Sequence, residues 1–173
     1  MSDEKDITLD PEWIKEQVHR LAGWEYLNRH VNHELDKTML PQELCDKIGV
    51  HIPRFCYHKH LSVVASCRMC LVDIEGVKYS QPACSTPLRE DMRISTKSEK
   101  TKIAQKSSME FLLINHPLDC PICDQAGECE LQDISLEHGD DHSKYMQFKR
   151  VVIDKDISPL ISTDMTRCIH CSR

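Results

Sequence analysis

Apolar residues recur at helical spacing near the start of the chain, at Ile14, Val18 and Leu21. Asp10 suits the N-cap before them and Pro11 the first helical position, which predicts an appended packing helix from Asp10 to about Leu27. A second short helix is predicted from Pro41 to Ile48, with Gly49 as its stop. Cys45 falls inside it, beside Leu44 and Ile48, and reads as a small buried apolar residue outside any site. From Ile52 onward the helical pattern fades, and RFCYHKHLSVVASCRMC reads as loop wrapped around its own cysteines. Strand patterning returns in LVDI and VKYSQ, a hairpin around Glu75–Gly76, and in MRIST as a further strand. SEKTKIAQKSSMEFLLIN predicts a helix from about Ser98 to Asn115. Pro117 pushes the residue before it out of the helical region, so the helix ends there with His116 at its mouth. QFKRVVID, residues 147–154, reads as another strand. No internal repeat or low-complexity linker interrupts this order.

Composition adds a constraint. The chain has 173 residues, 40% hydrophobic but only 5% aromatic, so a large aromatic core is not expected and small modules need another source of stability. Ten cysteines can supply it, as disulfides in an oxidising compartment or as metal ligands in a reducing one. The opening MSDEKDITLDPEW is acidic and polar, with neither the basic and apolar regions of a secretory signal nor the Arg-rich character of a transit peptide. Apolar runs are about as long as FLLI at 111–114, far short of the roughly 20 residues of a membrane span. A soluble, cytosol- or matrix-side chain with reduced thiols is therefore expected, and metal is favoured over disulfides. The net charge of −6 comes with scattered basic residues, which argues against a nucleic-acid partner. The five glycines lie too far apart for a dinucleotide fingerprint or a P-loop.

The first cysteine constellation is Cys56, Cys67, Cys70 and Cys84, spaced C-x10-C-x2-C-x13-C. Four thiolates suit tetrahedral zinc or an iron–sulfur cluster. Zinc knuckles more often pair C-x2-C with a second C-x2-C or H-x3-H, and the small residues of SVVAS before Cys67 would let backbone N–H groups approach sulfur. His58 and His60 read as exposed loop histidines. IPRFCYHKHLSVVASCRMCLVDIE resembles the plant-type-like 2Fe–2S module that opens the 75 kDa, or G-type, subunit family of respiratory complex I. The resemblance implies that Cys56, Cys67, Cys70 and Cys84 hold one 2Fe–2S cluster.

A second constellation, HPLDCPICDQAGEC, gives H-x3-C-x2-C-x5-C. Three cysteines leave an odd thiol for disulfides, whereas a Cys-Cys-Cys-His zinc site is open to it. It is similar to the same family's site for a 4Fe–4S cluster, which implies His116, Cys120, Cys123 and Cys129 as ligands. A neutral imidazole in place of a thiolate leaves the bound cluster one negative unit poorer, which by itself favours the reduced form. Pro117 and Pro121 stiffen this loop, and Gly127 fits a tight turn before Cys129. Asp119, Asp124 and Glu128 read as solvated loop carboxylates.

The chain ends DMTRCIHCSR, where Cys168 and Cys171 form C-x2-C around His170. In the family this run continues with a third cysteine and a distant fourth ligand, so Cys168 and Cys171 are expected to be an incomplete part of a second 4Fe–4S site.

The resemblance runs from about Asp36 to Arg173 and implies an α+β chain. Its expected parts are an N-terminal extension over 1–30, a ferredoxin-like β-grasp 2Fe–2S domain over 31–99, a helix-loop 4Fe–4S domain with one His and three Cys ligands over 100–139, and a connector with the truncated third site over 140–173. The family's module opens with a strand hairpin where residues 11–28 read as helix, so NRHVNHEL would have to supply what remains of the first strands. The implied function is electron transfer within an NADH–quinone oxidoreductase. A flavin- and NADH-binding subunit and other peripheral-arm subunits are the expected partners. The expected place is the cytoplasmic face of a bacterial inner membrane or the matrix side of a mitochondrial one. Related modules begin some NAD-linked hydrogenase and formate dehydrogenase chains, the nearest alternative, and a zinc-binding scaffold is the rival of another class.

Overall fold

The computed structural model describes residues 39–89 and 92–173. The expected helix of 10–27, and the strands sought in 28–35, lie outside the described residues. The described chain is α+β, as the sequence implied.

Helix α1 is Pro41–Lys47, with proline at its first turn and Glu43 accepting from the Leu40 N–H at 3.1 Å. Gly49 follows with φ +77°, the left-handed turn that ends a helix without a Cβ penalty. Strand β1, Leu71–Ile74, lies between β2, Gln81–Pro82, and β3, Ile94–Ser95, both antiparallel to it. The LVDI hairpin is there, but its return strand is not VKYSQ. Leu71 pairs with Pro82 and Val72 with Gln81, so the turn spans 75–80. MRIST contributes β3 as expected.

Helix α2 is Glu99–Leu113, with the Ser98 hydroxyl accepting from the Thr101 N–H at 3.2 Å. The inner face is Thr101, Gln105 and Met109, four residues apart, two of them polar. Both polar groups are satisfied by strands: Thr101 Oγ1 donates to the Ser95 carbonyl at 3.0 Å and Gln105 Nε2 to the Leu71 carbonyl at 3.1 Å. The helix stops at Leu113, earlier than Pro117 alone requires, in a tightened turn where Ile114 N–H reaches the Phe111 carbonyl.

Helix α3, Glu130–His138, was not foreseen; it buries only Leu131 and Ile134, too thin a stripe to stand out from a polar run. Residues 147–154 form no strand, a correction. The strands come just after, β4, Lys155–Ser158, and β5, Ile161–Thr163, which among the described residues pair only with each other; Val151, Ile153 and Ile157 are exposed.

Among the described residues two apolar clusters hold the chain. One gathers Cys45, Ile48, Ile52, Tyr57, Val72, Ile74 and Ile94 around Cys70 and Cys84. The other packs Phe55, Met69, Met109, Leu131 and Ile134 around Cys56 and Cys67, with Cys129, Ile169 and Cys171 at its margin. α2 and α3 are thus joined to the first cysteine loop through shared side chains.

Candidate metal centres

Three contacts fix the loop that carries Cys56. Arg54 donates to both carboxylate oxygens of Asp46 at 2.7 and 2.8 Å, Tyr57 Oη donates to Glu43 at 3.0 Å, and Gln42 Nε2 reaches the Ile52 carbonyl at 3.4 Å. Burial, with the Glu43 bond and charge behind it, pushes the Tyr57 phenol up to about 12, so it stays a donor. Cys70 and Cys84 are brought together by the sheet. Leu71 opposite Pro82 puts Cys70 beside Ala83, whose N–H bonds the Cys70 carbonyl at 2.9 Å. Cys84 is the next residue.

The four thiols act on one another most strongly as Cys56 with Cys67 and Cys70 with Cys84, and Cys84 is also opposed by the charges of Cys56 and Cys67. The Cys84 thiol donates to Cys70 and holds it down at about 7 against burial, and the same bond, then burial, drives Cys84 up. Burial opposes ionisation of Cys56, but the Cys67 and Ser66 backbone N–H groups outweigh it and lower it. Burial raises Cys67 in spite of nearby backbone N–H groups. Ala65 and Arg68, with φ 53° and 57°, turn the chain on either side of Cys67. Such turns aim successive N–H groups into one concavity suited to an anionic centre.

Sulfurs 2.3 Å from one tetrahedral zinc would stand about 3.8 Å apart, all four alike. Among the described residues, only Asp140, Asp141 and His142 bring three His, Cys, Asp or Glu ligand atoms within 4.8 Å of one another. No three of the four sulfurs lie within 4.8 Å of one another, which fits a centre of more than one metal atom better than a single zinc ion.

The second constellation is held at the junction of three elements. His116 follows α2, its N–H bonded to the Leu113 carbonyl at 3.2 Å. Cys120 opens a short 3-10 turn, Cys120–Ile122, and Cys123 closes it with an N–H bond back to Cys120 at 3.4 Å. Cys129 is the N-cap of α3, and Gly127, φ +88°, makes the turn just before it, as expected. His116, Cys120, Cys123 and Cys129 all line one open cavity of about 880 Å³.

His116 lines that cavity, and its Nδ1 is buried with no hydrogen-bond partner. Burial lowers the imidazole from its ordinary value, and the charge of Lys149 lowers it further, with Asp119 opposing. A neutral ring nitrogen without a donor partner fits a metal ligand, and the spread of the four groups does not fit a single ion.

Asp119 is not a free loop carboxylate, contrary to expectation: Arg167 Nε approaches it at 3.3 Å and Asp164 at 2.7 Å. Asp124 and Glu128 are exposed. Lys149 and Arg167 are the residues that the sequence reading passed over, because partners 33 and 48 positions away leave no local signal.

Cys168 is exposed, and its sulfur accepts from the His170 N–H at 3.4 Å. Cys171 turns inward, lining the same cavity as Cys129. His170 and Ser172, φ 53° and 64°, flank it as Ala65 and Arg68 flank Cys67.

Residues 43–99 match the family described as a 2Fe-2S iron-sulfur cluster binding domain, and 105–144 match the NADH-ubiquinone oxidoreductase-G iron-sulfur binding region. The chain thus carries a 2Fe–2S domain followed by a 4Fe–4S region, a two-module iron–sulfur protein. It is 48% identical over 140 residues to the NADH-ubiquinone oxidoreductase 75 kDa subunit of Reclinomonas americana, which is 81% of this chain and 20% of that protein. It is 49% identical over 140 residues to NADH dehydrogenase [ubiquinone] iron-sulfur protein 1, mitochondrial, of Solanum tuberosum, covering 81% of this chain and 19% of that one. The resemblance to the iron–sulfur region of the complex I 75 kDa subunit family is therefore borne out. The chain spans about one fifth of the length of these relatives. A crystal structure of NAD+-reducing [NiFe]-hydrogenase in the H2-reduced state superposes with a TM-score of 0.69 at 28% identity, over 76% of this chain and 56% of that one. Cys56, Cys67, Cys70 and Cys84 fall within the first matched region and His116, Cys120, Cys123 and Cys129 within the second; Cys168 and Cys171 lie beyond both.

Proposed function

We propose that the chain is an electron-transfer component of a complex I-type NADH:quinone oxidoreductase. Cys56, Cys67, Cys70 and Cys84 would hold the 2Fe–2S cluster, in a ferredoxin-type β-grasp domain over 31–99. His116, Cys120, Cys123 and Cys129 would hold the 4Fe–4S cluster in the helix-loop unit that runs to about 139. Cys168 and Cys171 would be half of a further 4Fe–4S site. The observation that carries this reading is the burial of the first four cysteines in two apolar clusters, Cys70 and Cys84 in one and Cys56 and Cys67 in the other, which takes in Cys129 at its margin.

Bound clusters supply one-electron chemistry, and no substrate bond is made or broken on this chain. Its own residues do three things. Thiolates and imidazole set the ligand geometry. Backbone N–H groups of Ser66 and Cys67 stabilise sulfur charge at Cys56. Phe55, Met69 and Met109 keep water from the space between the two sites. Electrons would arrive from a flavin-bearing partner subunit and leave toward quinone on the matrix or cytoplasmic side of the membrane. Among the described residues no helix is long and apolar enough to cross a membrane.

The structural likeness to the hydrogenase favours a second reading, the iron–sulfur chain of a soluble NAD-linked hydrogenase. Native co-purification separates the two: membrane-bound NADH:quinone activity supports the first, soluble hydrogen-dependent NAD reduction the second. Anaerobic reconstitution tests both against zinc. About six irons and six labile sulfides per chain are expected, with two EPR signals on stepwise reduction. Zinc near two equivalents with no sulfide would sink the electron-carrier reading.

A further inference from the structure

Four Lys and Arg side chains line the cavity that holds His116: Lys144, Lys149, Arg167 and Arg173. Three are neutralised by carboxylates, Lys144 by Glu110 at 2.8 Å, Arg167 by Asp119 and Asp164, and Arg173 by Glu130. Lys149 differs. Its ammonium donates to the Leu113 carbonyl at 2.9 Å and to the His116 carbonyl at 2.7 Å, and to no carboxylate among the described residues. α2 has no basic residue in its last turn, so this distant lysine supplies the cation that the negative end of the helix favours. It also ties down the backbone of the one candidate ligand that is not a cysteine.

We infer that Lys149 is a positioning and redox-tuning residue for the histidine-bearing cluster, holding His116 in place through its carbonyl and presenting to the site a positive charge that no carboxylate among the described residues neutralises. Reduction adds one electron to the bound cluster and makes it more negative. A half-buried cation beside it stabilises the reduced form and raises the potential, by an interaction that bulk water screens only in part. The inference rests on the ligand assignment proposed above.

Lys149→Gln keeps a donor without the charge, and Lys149→Arg keeps the charge. The full chain, reconstituted anaerobically, is titrated with reductant and followed by EPR, the 2Fe–2S signal reporting that each variant has folded. Lys149→Gln is expected to lower the reduced-to-oxidised ratio of the 4Fe–4S signal about tenfold at fixed poise, a shift of about 59 mV for a one-electron couple. Lys149→Arg stays with wild type, and the 2Fe–2S midpoint moves in neither variant. A wild-type titration of Lys149→Gln, or loss of the 4Fe–4S signal in the Arg variant while the 2Fe–2S signal persists, overturns the role of the charge. A wild-type chain that loads no 4Fe–4S cluster, or keeps the same signal in His116→Ala, overturns the ligand assignment instead.

Discussion

Arg54 donates to both carboxylate oxygens of Asp46, tying helix α1 to the residue two before Cys56. The pair is partly exposed, 27% and 37% by side chain, and solvent screens it. Replacing Arg54 with Met should therefore lower stability by only about 0.5 kcal/mol, less at high salt. Urea unfolding at two salt concentrations checks this. The larger expected effect is slower uptake of iron at the Cys56 site, seen as a lag in the visible absorbance of reconstitution.

Gln105 belongs to a costlier class. It is buried, and its amide meets the Leu71 carbonyl beside Cys70. Gln105→Leu keeps the volume but strands that carbonyl, and is expected to destabilise the chain by about 1–3 kcal/mol. A urea midpoint that does not move would show that water reaches the carbonyl instead.

Met109 has no exposure and sits in the apolar cluster that touches Cys56, Cys67 and Cys129. Met109→Ala should remove about 2–5 kcal/mol. Both cluster signals should weaken together in the variant, because the same cavity opens toward both sites. Iron content and EPR amplitude measured side by side would reveal an effect on one site alone.

Cys45 separates structural from ligating thiols. It is fully buried, and burial, with the Asp46 charge behind it, pushes the thiol up to about 12. The nucleophilic thiolate is therefore absent until pH rises toward that value, and alkylation of Cys45 in the native chain should fail at pH 8. Cys45→Ala should leave iron and sulfide unchanged, whereas Cys70→Ala should remove the 2Fe–2S signal. Mass spectrometry and metal analysis read the two outcomes.

His116 gives the apo chain a pH dependence. Its folded value lies below the ordinary imidazole range, chiefly through burial, so the unfolded chain takes up a proton first as pH falls. Stability from this group is complete above about 6.5 and is lost as pH drops through that value toward the folded one. His116→Gln should flatten part of the decline between pH 7 and 5 in thermal unfolding. An unchanged slope would assign the decline to other groups, His138 first, whose buried ring is lowered in the same way.

The ligand types and their spacing are local, and the sequence determined them by itself. Cys56, Cys67, Cys70 and Cys84, and His116 with its three cysteines, stood out because metal chemistry demands particular atoms at short intervals. So did α1 and α2, whose proline and serine starts are written into a few neighbouring residues. Where the reading slipped, the signal was weak or distant. VKYSQ has strand-like residues, yet the register follows from pairing of Leu71 with Pro82, which places Cys84 near Cys70. QFKRVVID looks like a strand by composition, but among the described residues no partner strand faces it, and Lys149 within it is held at the end of α2. Which thiols pair, which imidazole nitrogen is left unpartnered, and which cation goes unneutralised were decided only by tertiary structure. Each depends on groups far apart in the chain meeting in a space that water has left, and one-dimensional spacing does not encode that meeting.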